Sequence, residues 1–160
     1  MQNTERTARS KRNRLLLTIG LAATFLIAAA ACGHLAMMGH GNVQRPSAEA
    51  FGLGPRVSAK QTYTATLQAQ EPLRVRRLQT VAVLIKDATG TPVESAVISV
   101  DGGMPEHGHG LPTQPRVTRT LGGGLYEIDG LRFNMGGWWE LKLAIDSPAG
   151  GDSVTFNLSL

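Results

Sequence analysis

At 160 residues, with 42% hydrophobic and 18% charged positions, the chain has the length and composition of one globular domain rather than a disordered tail. Its formal charge of +4 sits at the amino terminus, where Arg6, Arg9, Lys11, Arg12 and Arg14 oppose only Glu5; eleven Lys/Arg face eleven Asp/Glu over the rest. A neutral body removes the electrostatic motive for nucleic-acid binding, and with Cys32 as the only cysteine there is no disulfide or cysteine nucleophile for the domain to use.

The basic start runs into residues 15–31, which carry no charge and are interrupted only by Thr18, Gly20 and Thr24. A positive region followed by such an apolar run is an export signal or a membrane anchor, not part of the fold. It ends in Ala29-Ala30-Ala31-Cys32-Gly33, which resembles a bacterial lipoprotein signal with Cys32 as the lipidated new amino terminus; Ala29 stands where a leucine is usual. An uncleaved helix is the alternative, and residues 15–32 would span roughly 27 Å against a bilayer core of about 30 Å; simple cleavage is the third. The positive-inside bias places residues 33–160 outside the cytoplasmic membrane for either attached form. Residues 1–32 are therefore read as signal or anchor.

Residues 33–59 hold no sustained period and are rich in Gly, Ala, Pro and Ser, the composition of a tether. His34, Met37, Met38 and His40 fall in it, but a flexible tether loses ordering entropy on binding, which favours juxtamembrane filler over a specific site.

From residue 60 the period becomes two. Residues 62–68 alternate, and residues 80–86 are β-branched and apolar on both faces, as a central strand requires. A turn cluster at residues 87–92 precedes a strand at 93–101. Residues 115–120 and 125–128 flank Gly122-Gly123-Gly124 as a short hairpin; residues 139–146 alternate apolar and polar, residues 147–152 turn the chain, and residues 154–160 alternate again. About seven strands in residues 60–160 with regular turns and no helical stripe predict an all-β domain, an immunoglobulin-like antiparallel β-sandwich. In that arrangement the connection after the third predicted strand and the one before the sixth share a pole, which brings Met135 toward His107 and His109.

The third-to-fourth connection carries the chemistry: Met104-Pro105-Glu106-His107-Gly108-His109-Gly110-Leu111-Pro112. Long ordered loops are more often functional than short ones. His107 and His109, two apart, point to one side of an extended backbone, and Gly108 lets the chain bend until the rings converge. With Met104 and Met135 the donors are imidazoles and thioethers, which suit copper. Glu106 beside the histidines permits zinc, but Glu106 and His107 point apart in an extended chain and no second base accompanies them, so hydrolytic zinc chemistry is not expected. The competing account makes the loop a tight connection held shut by a histidine donating to a carbonyl, Met135 a core residue, and Trp138-Trp139 a sheet plug with a partly exposed neighbour. There is no nucleophile elbow and no phosphate-cradling glycine loop opening a helix, and no enzymatic activity is expected.

Residues 100–112, followed by Gly130-Leu131-Arg132-Phe133-Asn134-Met135-Gly136-Gly137-Trp138-Trp139, resemble the YtkA-like and FixH-like domain family, whose pattern joins a Met-Pro-x-His-Gly-His-Gly loop to a later Gly-Leu-x-Phe-x-Met-x-Gly-x-Trp segment. The resemblance implies a membrane-tethered extracytoplasmic β-sandwich linked to copper handling or to assembly of respiratory oxidases, with Met104, His107, His109 and Met135 as ligands and an envelope protein or oxidase assembly component as partner. Leu111 stands where many relatives have a second methionine. The alternative function is a non-catalytic, metal-free interaction module displaying the same loop.

Overall fold

The computed structural model describes residues 43–160; the signal or anchor segment, Cys32, and His34, Met37, Met38 and His40 lie outside the described residues. Within them are nine strands and one 3-10 turn, Ala48–Ala50: β1 (Arg56–Val57), β2 (Tyr63–Gln68), β3 (Leu78–Asp87), β4 (Val97–Met104), β5 (His109–Gly110), β6 (Arg116–Gly122), β7 (Leu125–Arg132), β8 (Trp138–Ser147) and β9 (Gly150–Ser159). No helix among these residues is long and apolar enough to cross a membrane.

Two antiparallel sheets form, β1-β2-β3-β7-β6 and β5-β4-β8-β9. Leaving out the two-residue strands β1 and β5, the sheets are first-second-fifth-fourth and third-sixth-seventh, the immunoglobulin arrangement of the expected seven strands. The reason is legible in the side chains. In β3, Val81, Val83 and Ile85 face the other sheet while Ala82 and Leu84 are half-covered, as befits an inner strand. In β8, Leu141, Leu143 and Ile145 are buried while Lys142, Ala144 and Asp146 are exposed. The core joins both inner faces around Trp139, Phe133, Tyr126, Tyr63 and Phe156.

The strands differ from expectation at their ends. The third predicted strand, placed at residues 93–101, is displaced to Val97–Met104 because Tyr126 captures the segment before it, donating to Val93 O at 2.7 Å and accepting from Ala96 N at 2.9 Å. The hairpin glycines 122–124 all take positive φ (82°, 62° and 74°), a turn only glycine makes without strain. Gly150 to Asp152, read as turn residues, belong to β9, and the reversal is the two-residue link Pro148-Ala149 between paired Ser147 and Gly150. Asp152 is only 8% exposed and accepts from the amides of Lys60 and Thr62 at 3.0 and 3.2 Å. Burial would raise its pKa, but the Ser58 hydroxyl and the amides of Ser153, Lys60 and Thr62 outweigh that and hold it well below the usual carboxylate range. The compact unit begins at Val43, ahead of residue 60: Leu53 packs on the core, Ser58 is buried, and Phe51 lies edge-on to Trp138. Segments this short show no period in sequence.

Candidate metal centre at one pole of the sandwich

Three connections meet at one pole: β2 to β3, β4 to β5, and β7 to β8. The last two are set by β4 pairing with β8, where Gly103 lies opposite Glu140. β4 also pairs with β5, Met104 opposite His109, so the connection is a hairpin closed over Pro105, Glu106, His107 and Gly108. Both His107 N and Gly108 N donate to Met104 O, at 3.1 and 2.9 Å. Gly108 then takes φ +66° with open space where a Cβ would be, so its glycine is required by torsion and not by crowding. The histidines converge through this turn, not through an extended backbone.

The side chains follow from the register. Opposed residues of an antiparallel pair share a face, so Met104 and His109 both face inward. Met104 is 1% exposed and belongs to the core; its Cε reaches the β7–β8 loop, where a Cβ on Gly137 would lie 2.8 Å from it. His109 is half-buried, its ring edge-on to Trp139 at a centroid distance of 5.5 Å and 67°. Its Nδ1 lies 3.1 Å from Gly110 O. A carbonyl only accepts, so a hydrogen bond here has Nδ1 as its donor, the tautomer that would turn Nε2 to a metal. His107 is exposed, and its ring centroid lies 5.9 Å from that of His109 with 33° between planes.

That separation is one condition for a shared ion. A metal about 2.0–2.1 Å from each nitrogen puts two imidazole centroids at most about 6.4 Å apart, the linear limit, counting roughly 1.1 Å from nitrogen to ring centre. The observed 5.9 Å is within reach. Met104 adds a thioether in cross-strand register with His109. Among the described residues no group of three or more His, Cys, Asp and Glu converges; the candidate donors carried by this hairpin are two imidazoles and a thioether. Glu106 is exposed on the turn, and Glu140, beside the hairpin, is paired with Lys142 at 2.9 Å.

Met135 is 38% exposed, which excludes a core role. The structure ties its backbone to the site: the Trp139 indole donates to Met135 O at 3.0 Å. Trp139, fully buried, thus touches three residues of the pole at once, since Phe133 also packs edge-on to it at 5.2 Å. Its burial fits the sheet plug expected of one member of the Trp138-Trp139 pair, while its bridging of hairpin and loop is beyond that expectation. The available signal was the four-residue step from Met135 to Trp139, which lets a strand-opening indole reach back to the loop. The partly exposed neighbour expected of the pair is not found, since Trp138 too is only 2% exposed, with Phe51 edge-on to it and Asn157 accepting its indole N–H at 2.9 Å.

Comparison with known proteins agrees with the motif. No curated protein matches the chain. A solved structure named "ZirS C-terminal Domain" aligns over 82% of this chain and 87% of its own length, at 13% identity and a TM-score of 0.36. The family model described as YtkA-like matches residues 58–144, more than half of the chain and spanning both the Met104–Leu111 hairpin and the Phe133–Trp139 segment. The chain belongs to the YtkA-like family.

Proposed function

We propose that this is a membrane-tethered extracytoplasmic protein that holds copper as cargo through His107, His109 and Met104, with Met135 at the rim, in metal handling or respiratory oxidase assembly. The observation that carries the reading is the hairpin: two imidazoles within reach of one ion, one of them with its Nδ1 against a carbonyl, and a thioether in register with it. The sulfur favours Cu(I) and the nitrogens accept Cu(II). His109 and Met104 sit on strands, His107 on a turn fixed by two hydrogen bonds, so the backbone that carries the donors is held in place. The reading assigns no catalytic residue. Anchoring rests on the basic start and apolar run ending at Cys32, which supplies either a lipid or a helix.

Titration of the purified domain with Cu(I) and Cu(II) is expected to give about one equivalent, lost in His107→Ala/His109→Ala. Absence of binding by either ion above background sinks the proposal. The competing reading is a metal-free interaction module, favoured by the exposed turn tip carrying Glu106 and His107. Under it the double variant keeps its partner and chelators change nothing.

A further inference from the structure

The same pole carries a second feature that the hairpin does not use. Arg74, Arg76 and Arg77 of the β2–β3 loop and Arg132 at the end of β7 are all exposed. The ion pairs formed among the described residues are Arg119–Glu127 and Lys142–Glu140, so none of these four guanidinium groups is matched by a carboxylate. Glu71 is the one acidic residue in the loop, leaving a local excess of three positive charges on a body that is neutral overall. Two aliphatic side chains stand among the arginines, Leu78 at 66% exposure and Val75 at 36%, and Leu78 pairs with Arg132 across the strands.

The loop is not loose. The Gln79 side chain accepts from Arg74 N and donates to Arg74 O, at 2.6 and 2.9 Å, and Arg76 N donates to Phe133 O at 2.6 Å. Arg76 is held at φ +62°, a conformation that side chains of its size rarely adopt. Phe133 packs on Trp139, which packs on His109, so the basic loop and the histidine hairpin are braced on one aromatic row.

We propose that this patch docks on anionic phospholipid headgroups, turning the histidine-bearing pole toward a membrane surface. Guanidinium groups bond phosphate oxygens in pairs, and short aliphatic side chains between them suit the boundary between headgroup and acyl chain. An acidic protein would match the charge but not call for Leu78. The membrane is favoured by position as well. The Arg45 guanidinium lies over Phe51, 5.5 Å from its ring centre, and Phe51 packs on Trp138, so the leading segment lies at this end of the sandwich. Only residues 32–42 separate the apolar run from the first described residue, a length that spans at most about 40 Å fully extended. In this respect the inference rests on the anchored reading above.

Residues 43–160 form a compact unit containing the whole core, so they are tested alone, without the anchor. In vesicle flotation at low salt, the unit is expected to bind phosphatidylcholine vesicles containing phosphatidylglycerol and not pure phosphatidylcholine, with binding lost as salt rises. Arg74→Gln/Arg77→Gln/Arg132→Gln is expected to reduce partitioning roughly a hundredfold, and Leu78→Ser severalfold, with the wild-type melting temperature and copper titration retained in both. No binding to the anionic vesicles, or equal binding by the triple variant, overturns the proposal. Tighter binding to polyglutamate than to the vesicles overturns lipid docking in favour of an acidic protein. The anchor fails separately, if mass spectrometry of the full protein finds a free amino terminus downstream of Cys32.

Discussion

Met104→Leu separates ligand from core at one position. Met104 is 1% exposed, faces His109 across the hairpin and ends against Gly137. Truncation to alanine would confuse the two roles, since emptying such a site costs about 2–5 kcal/mol whatever the sulfur does. Leucine has nearly the same volume and loses only the terminal reach beside Gly137, so the destabilisation should stay below about 1.5 kcal/mol. For a unit of residues 43–160 that is a fall in melting temperature of roughly 6 °C or less, measured without metal. If the thioether ligates, Cu(I) affinity should drop about tenfold or more, equivalent to about 1.4 kcal/mol, while Cu(II), held by the imidazoles, should change less. Competition against a chromogenic Cu(I) chelator reads the first, calorimetry the second. A variant that melts within a few degrees of wild type and keeps its full Cu(I) affinity refutes the ligand role and leaves Met104 as core.

Trp139→Phe removes the bond to Met135 O and shrinks a fully buried ring; a loss of about 2–3 kcal/mol, roughly 10 °C, is expected. Copper affinity should fall with it, because His109 loses the edge it packs on; stability lost with copper binding unchanged removes Trp139 from any positioning role. Asp152 tests the far end of the sandwich. Its folded pKa lies below the unfolded value of about 3.9, so its contribution is full above that pH and is lost as the pH falls through the folded value. Asp152→Asn should therefore melt below wild type at neutral pH, with the gap narrowing below about pH 4; a gap that stays constant across that range refutes the assignment.

The strands were legible because alternation is local: β3 with apolar residues on both faces and β8 with one apolar face each state their surroundings in ten residues. From the order of the strands and their turns followed the sandwich, and with it the shared pole of the His107–His109 hairpin and Met135. Short segments were not legible. Arg56–Val57 and His109–Gly110 are too brief to show a period, and Asp152 reads as a turn residue until its three amide donors are seen to come from Lys60 and Thr62 as well as from neighbouring Ser153.

By itself, then, the sequence determined the class of fold, the candidate donor residues and the pole on which they lie, since residue type and local period suffice for these. Which way each side chain points was decided only by tertiary structure. Cross-strand register buried Met104, the Gly108 turn brought two rings to 5.9 Å, and one indole from β8 joined His109 to the Met135 loop. These are contacts between residues on different strands and loops, and no pattern confined to one segment encodes them.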